Sequence, residues 1–297
     1  MNETKRYPAK VLLFGEHTIL RGSRALAMPL HAKYSHWDVQ PNSVEALLDI
    51  KAWLRIQLPT AFDFKQMELD YERGVCLQSN IPVGYGLGSS GSVCVAIFDR
   101  YATREGQEQM QEMGAKAMLA RMESFFHGTS SGTDPLIIYL NKTVELLPNG
   151  TYQTVTLQGL PNGWCFFLLD TRKARQTAPL VNHFLKQFDT DLSFQEQVKK
   201  EWALHTDNAI DALLCGDSNT LWDSFTRISR FQLEHLPLMV PDVIRSEWRR
   251  GLESDTWRLK ICGAGGGGYC LGITKDWPDT QQQLEKWELI KLDSGRE

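Results

Sequence analysis

Two glycine-rich stretches constrain this chain more than any other feature. Gly84-Tyr85-Gly86-Leu87-Gly88-Ser89-Ser90-Gly91 comes shortly after a β-type run, Val75 to Ser79, and Gly263-Ala264-Gly265-Gly266-Gly267-Gly268 follows directly on another, Arg258 to Cys262. Glycine lets a backbone take positive φ and come close to a ligand. Past the first loop the pattern turns helical, over Ser90 to Arg104. The free N–H groups and dipole of a helix's first turn favour an anion, so this loop predicts a phosphate chain as its occupant. Ser89 and Ser90 would cap the helix and offer hydroxyls to a phosphate or its Mg²⁺. The plainer alternative is a glycine turn capped by serine.

Around these loops, Lys10 to Gly15 and Ala25 to Leu30 read as strands, and a longer helix is predicted within Gln107 to Phe126. In it Ala115, Met118, Leu119, Met122 and Phe126 recur at helical spacing as one buried stripe, with Glu123 at its border. Short strands follow at Val144 to Leu147 and Tyr152 to Leu157, then Trp164 to Asp170, with Leu160-Pro161-Asn162-Gly163 as the best boundary. Helical patterns come next near 178–189, 194–215, 218–233 and 241–253, and Tyr269 to Ile273 is an apolar run behind the second loop. This alternation predicts an α+β or α/β class. The length of 297 residues fits two domains, placed at 1–160 and 161–297.

Charge and composition remove several functions. Lys and Arg number 32 against 36 Asp and Glu, a net charge of -4, which supplies no field for a nucleic acid. No secretory signal precedes the first strand, and no apolar run approaches the roughly 20 residues of a membrane span, so no membrane partner is expected. Six cysteines, none in a CxxC pair and most within apolar runs, read as reduced, buried thiols in a cytoplasmic protein.

Both glycine loops satisfy G-x-G-x-x-G, which raises a nicotinamide-dependent oxidoreductase. Pro82 separates the first from its strand, however, and the second precedes a strand instead of a helix. A Walker A loop is absent. Glu123, near a helix end, and Asp134, after a Gly-Thr-Ser-Ser-Gly-Thr turn, form an acid pair close to the phosphate loop, as phosphoryl transfer requires. Against that stands a structural reading, with Asp134 before Pro135 as a helix cap and Glu123 as a solvated helix residue.

Three segments together resemble the GHMP kinase superfamily, and within it the mevalonate kinase family. They are Pro8-Ala9-Lys10-Val11-Leu12-Leu13-Phe14-Gly15-Glu16-His17, Pro82-Val83-Gly84-Tyr85-Gly86-Leu87-Gly88-Ser89-Ser90, and Lys260-Ile261-Cys262-Gly263-Ala264-Gly265-Gly266-Gly267-Gly268. Glu123 through His127-Gly128 to Ser131-Gly132-Thr133-Asp134, and Thr171 to Val181, are similar to two further segments of that family. The resemblance implies an α+β fold with a ribosomal-S5-like N-terminal domain and a ferredoxin-like C-terminal domain. It implies transfer of the γ-phosphoryl of ATP to the 5-hydroxyl of mevalonate, with Mg²⁺, in a monomer or homodimer.

Carried over by position, Gly84, Gly86, Leu87, Gly88, Ser89, Ser90 and Gly91 would hold the nucleotide, and Ser90 and Glu123 the metal. Asp134 and Lys10 would be catalytic. Glu16, His17, Thr177, Gly263, Ala264 and Gly265 would meet the acceptor, and His127 is read as structural. Phosphomevalonate or a sugar is the alternative acceptor, and a non-catalytic nucleotide sensor on the same fold the alternative class. Gly91 stands where the family commonly has alanine, Pro135 where it has asparagine and Cys262 where it has threonine.

Overall fold

The computed structural model describes residues 5–40, 45–174 and 177–292, except the side chains of 45–48 and 177. In chain order come strands β1 (Arg6–Phe14) and β2 (Ala25–Val39), helices α1 (Glu45–Gln57) and α2 (Phe64–Glu72), and strand β3 (Val75–Ser79). Helices α3 (Ser89–Tyr101), α4 (Arg104–Met113), α5 (Ala115–His127) and α6 (Thr133–Leu140) follow, then strands β4 (Val144–Leu146), β5 (Tyr152–Thr154) and β6 (Cys165–Asp170). The rest comprises helices α7 (Thr177–Thr190), α8 (Leu192–Gln197), α9 (Leu204–Cys215), α10 (Ser218–His235) and α11 (Arg245–Glu253), strands β7 (Trp257–Ile261) and β8 (Tyr269–Thr274), helix α12 (Trp277–Gln283) and strand β9 (Leu289–Lys291).

One sheet runs β1-β2-β4-β5 with β3 also on β2, and the other β7-β8-β6-β9. β2 pairs antiparallel with β3, Val39 opposite Val75, and with β4, Ala25 opposite Leu146. In the second sheet β6 pairs antiparallel with β8 and β9, and β7 with β8. Helices on antiparallel sheets make the class α+β, which excludes a dinucleotide fold, since that needs a mostly parallel sheet.

By contacts the chain divides into two compact units, one of Met1–Lys10, Pro29–Pro82 and Leu87–Lys142, the other of Val11–Met28, Val83–Gly86 and Thr143–Glu297. The proposed boundary near residue 160 falls in a loop between β5 and β6.

The first unit's core joins α1, α3 and α5 through Ile50, Leu54, Cys94, Ile97, Phe98, Met118, Leu119 and Met122. Burying each such large apolar side chain stabilises by about 1.5–3 kcal/mol. The helix expected within Gln107 to Phe126 is two helices, because Gly114 at φ 87, ψ 141 ends α4 and opens α5. The stripe also ends differently. Met118, Leu119 and Met122 are fully buried, but Phe126 is 40% exposed, and Phe125 takes its place against Trp53, ring centroids 6.2 Å apart. Phe125 lies three residues beyond Met122 and seven beyond Met118, which keeps it on the same face. Glu123, one turn beyond Leu119, is inside the protein and not at the border.

In the second unit Phe14, Phe166 and Phe225 stack edge to face across β1, β6 and α10 at 6.1–6.2 Å. A π-helical turn, Val198–Ala203, joins α8 to α9 and buries Trp202. All six cysteines are free; five are buried and Cys215 is exposed. Among the described residues no helix is long and apolar enough to cross a membrane.

Candidate active site

Lys10 lies on β1, and its backbone N–H donates to the carbonyl of Leu87 at 2.9 Å, tying the strand to the first glycine loop. Its side chain is 8% exposed, and its Nζ sits 2.9 Å from Oδ1 of Asp134. Asp134 occupies the first turn of α6, where Gly132, at φ 70, is the cap residue and no side chain caps the helix. The carboxylate is therefore spent on Lys10 and not on capping.

Gly88 explains how the pair is held. At φ 75 it precedes α3, and a Cβ there would come within 3.0 Å of Lys10 Cγ and 3.5 Å of Asp134 Cβ. Gly91, on the first turn of α3, is pressed as closely, since a Cβ would lie 2.9 Å from the backbone nitrogen of Pro135. The methyl of an alanine would thus meet the backbone of α6 in this chain. Helix α3 and the start of α6 approach closely only because residue 91 has no side chain.

Ser90 points its hydroxyl at Glu123 and donates to Oε1 at 2.7 Å; Ser130 donates to Oε2 at 2.5 Å. Gly132 in turn donates its N–H to Ser130 Oγ at 2.9 Å, which orients that hydroxyl. Burial pushes the Glu123 carboxyl above the usual glutamate range; the Ser130 hydroxyl opposes this, the charge of Asp134 adds to it, and Ser90 and His127 oppose it. His127, read from sequence as structural, places Nε2 3.1 Å from Ser90 Oγ. Because Ser90 gives its proton to the carboxylate, its oxygen accepts from His127, whose Nε2 carries the hydrogen. Ser130 and His127 are the residues sequence reasoning passed over. No spacing rule reveals Ser130, which lies past the end of α5 and returns to it through the turn.

Lys10, Gly88, Ser90, Gly91, Glu123 and Asp134 thus gather in one unit, around the N-terminus of α3. The donors at Ser90 and Glu123 are hard oxygens, the type Mg²⁺ takes from proteins when phosphates and waters complete its shell. Among the described residues no three His, Cys, Asp or Glu cluster as a metal cage.

Leu87 and Ser89 lie in that same unit, and the other predicted site residues belong to the second. Gly84 and Gly86 have φ of 79 and 74. Glu16 is buried and paired with Lys260 of β7; His17 is buried with Nε2 3.1 Å from the carbonyl of Ala264. In the second glycine loop the N–H groups of Gly266 and Gly268 donate to Met239 and Lys173 carbonyls, both at 2.6 Å. A Cβ on Gly265 would lie 2.6 Å from Met239 O. Much of this loop's glycine content therefore serves backbone packing. Thr177 opens α7, and its side chain is outside the described residues.

Residues 51–142 match the family model of the GHMP kinases' N-terminal domain, and the fold is that of the GHMP kinase superfamily. Within it the likeness is to mevalonate kinases. The mevalonate kinase of Thermococcus onnurineus is 28% identical over 312 residues, spanning 93% of this chain and 90% of its own. That of Thermococcus sibiricus is 28% identical over 321 residues, 97% of this chain and 92% of its own. The L. major mevalonate kinase, whose crystal structure holds R-mevalonate, superposes with a TM-score of 0.66 at 17% identity, covering 100% of this chain and 94% of its own.

Proposed function

We propose that this chain is an ATP-dependent kinase that transfers the γ-phosphoryl group of ATP to the 5-hydroxyl of mevalonate, a step toward isoprenoid precursors. The observation that carries the reading is the Lys10–Asp134 ion pair, 2.9 Å long and seated against Gly88 at the start of α3. A helix N-terminus draws the phosphates, and a carboxylate and an ammonium beside it face the oxygen that attacks. The curated relatives that span nearly the whole chain are mevalonate kinases, which supports the acceptor.

In the reaction the acceptor oxygen forms a bond to the γ-phosphorus while the bond from that phosphorus to the β–γ bridging oxygen breaks. Asp134 accepts or polarises the hydroxyl's proton, and Lys10 stabilises the alkoxide character that develops and the charge on the moving phosphoryl group. Lys10 also orients Asp134 before substrate arrives. Gly84, Gly86 and Leu87 to Gly91 bring backbone N–H groups to the nucleotide's phosphates. Ser90 and Glu123 are the residues that would hold Mg²⁺, which when bound neutralises charge on the phosphate oxygens. Ser130 and His127 fix the rotamers of those two side chains. Glu16, His17, Thr177 and the loop Gly263-Ala264-Gly265 are assigned to the acceptor side.

A coupled assay of ADP release with mevalonate, phosphomevalonate, galactose and homoserine tests the reading. Mevalonate is expected to give the highest kcat/KM. A preference for another acceptor moves the assignment elsewhere in the superfamily, and no ADP release with any of them overturns the kinase.

A further inference from the structure

Lys260 is a charged side chain in an apolar place. Strand β7 is buried along its whole length, and Lys260 is itself 0% exposed, among Trp257, Leu259 and Ile261 at the same value. Its Nζ pairs with Glu16 Oε1, donates to the carbonyl of Ile261 at 2.9 Å, and lies 5.7 Å from the Phe14 ring centre. A buried ion pair adds little stability compared with apolar side chains of similar volume. What it does supply is a fixed position for its partner.

The segment that Glu16 belongs to needs fixing. The next residue, His17, has φ 57 and ψ -43, and the N–H of Thr18 donates to the carbonyl of Glu16 at 2.5 Å. This is a γ-turn of the rare positive-φ kind, here centred on a residue with a large side chain. Strain of this sort persists only where the surroundings over-determine it, and it gathers at functional sites. Each part of the turn is held. Gly15, at φ 100, lies so close to Ala25 that a Cβ would be 2.3 Å from the alanine's own. The His17 ring donates through Nε2 to Ala264 O at 3.1 Å and packs against Phe184 and Trp202, centroids 5.0 and 6.0 Å away. The residue between Gly15 and His17 is held by Lys260.

We infer that Lys260 is a positioning residue for the acceptor: by anchoring Glu16 it keeps His17 in its strained turn against Ala264, so that the Gly15-Glu16-His17 turn and the Gly263-Ala264-Gly265 loop act as one rigid piece. This rests on the assignment of those segments to the acceptor side. It gives Glu16 an indirect role, because its carboxylate is occupied by Lys260 and its side chain is 1% exposed. Glu16 and Lys260 then act as a unit, and the effects of losing either or both coincide instead of adding.

The test compares Lys260→Met, Glu16→Met and the double variant Glu16→Met/Lys260→Met. Lys260→Met takes the cation away from a buried carboxylate and is expected to melt lower, whereas the double variant removes both charges and folds. All folded variants are expected to raise the acceptor KM by about tenfold or more with ADP affinity, measured by calorimetry, within about twofold. In ¹⁵N-histidine-labelled protein the His17 ring signals are expected to shift in the double variant. A double variant with wild-type acceptor KM, an equal loss in ADP affinity, a KM for the double variant far above that of Glu16→Met, or unmoved His17 signals would each overturn the inference. Wild-type protein that does not phosphorylate mevalonate removes the acceptor assignment instead, and the clasp is then judged on the His17 signals.

Discussion

Glu123 and Asp134 are two carboxylates with opposite circumstances. Glu123 is 5% exposed and its carboxyl is lifted by burial above the usual range. Its folded pKa exceeds its unfolded one, so the stability it contributes is complete below the unfolded pKa and is lost as pH rises through the folded value. Glu123→Gln removes that loss. Without nucleotide or divalent cation, the variant is expected to melt above wild type near neutral pH, and the difference to vanish near pH 4, below the ordinary glutamate pKa of about 4.3. The same variant should need more Mg²⁺ for half-maximal rate; melting curves across pH and a Mg²⁺ titration check the two halves. Asp134 is 36% exposed and held by Lys10. Asp134→Asn is expected to leave ADP affinity within about threefold while kcat falls by about three orders of magnitude, since its charge acts in the transition state. A kcat within tenfold of wild type would remove Asp134 from the mechanism.

Between elements, the decisive contact is the approach of α3 to the start of α6. Gly91 makes it possible, as a Cβ there would be 3.1 Å from Pro135 Cα and 3.2 Å from the carbonyl carbon of Asp134. Gly91→Ala must push the α6 turn away, and Asp134 with it. Such overpacking costs about 1–3 kcal/mol, and displacing a reacting group by a fraction of an ångström costs about tenfold in kcat or more. Both effects are expected, read as a lowered melting temperature and a lowered kcat; a wild-type kcat in Gly91→Ala would show that the approach does not place Asp134. The elements themselves were legible in outline. The β-type runs at Lys10, Trp164, Arg258 and Tyr269 are strands buried along most of their length, as continuous apolar sequence needs, and the more polar run at Val75 is a strand with only its first two residues buried. The break at Gly114 was not, because one glycine inside a helical pattern is ordinarily tolerated, and only the packing of α4 and α5 shows that the chain turns there.

Across the whole molecule, the fold and the proposed Mg²⁺ site are expected to be independent. The cysteines form no disulfide and, among the described residues, no acidic or histidine cluster forms a metal cage. A chelator is therefore expected to abolish phosphoryl transfer while the melting temperature of the nucleotide-free protein moves by less than about 1 °C, in contrast to a structural-metal protein, which unfolds. A large drop on chelation would point to a metal that the fold depends on.

By itself the sequence narrowed the fold to α+β or α/β and pointed to an anion at the loop before α3 and to residue types suited to phosphoryl transfer, because periodicity, glycine and charge act locally and can be read locally. Tertiary structure alone decided which side chains meet. It put Lys10 on Asp134 across more than a hundred residues, closed Ser90, Ser130 and His127 around Glu123, and buried Lys260 against Glu16. Contacts between residues far apart in the chain depend on how whole elements pack, and a pattern confined to a few neighbouring positions does not encode them.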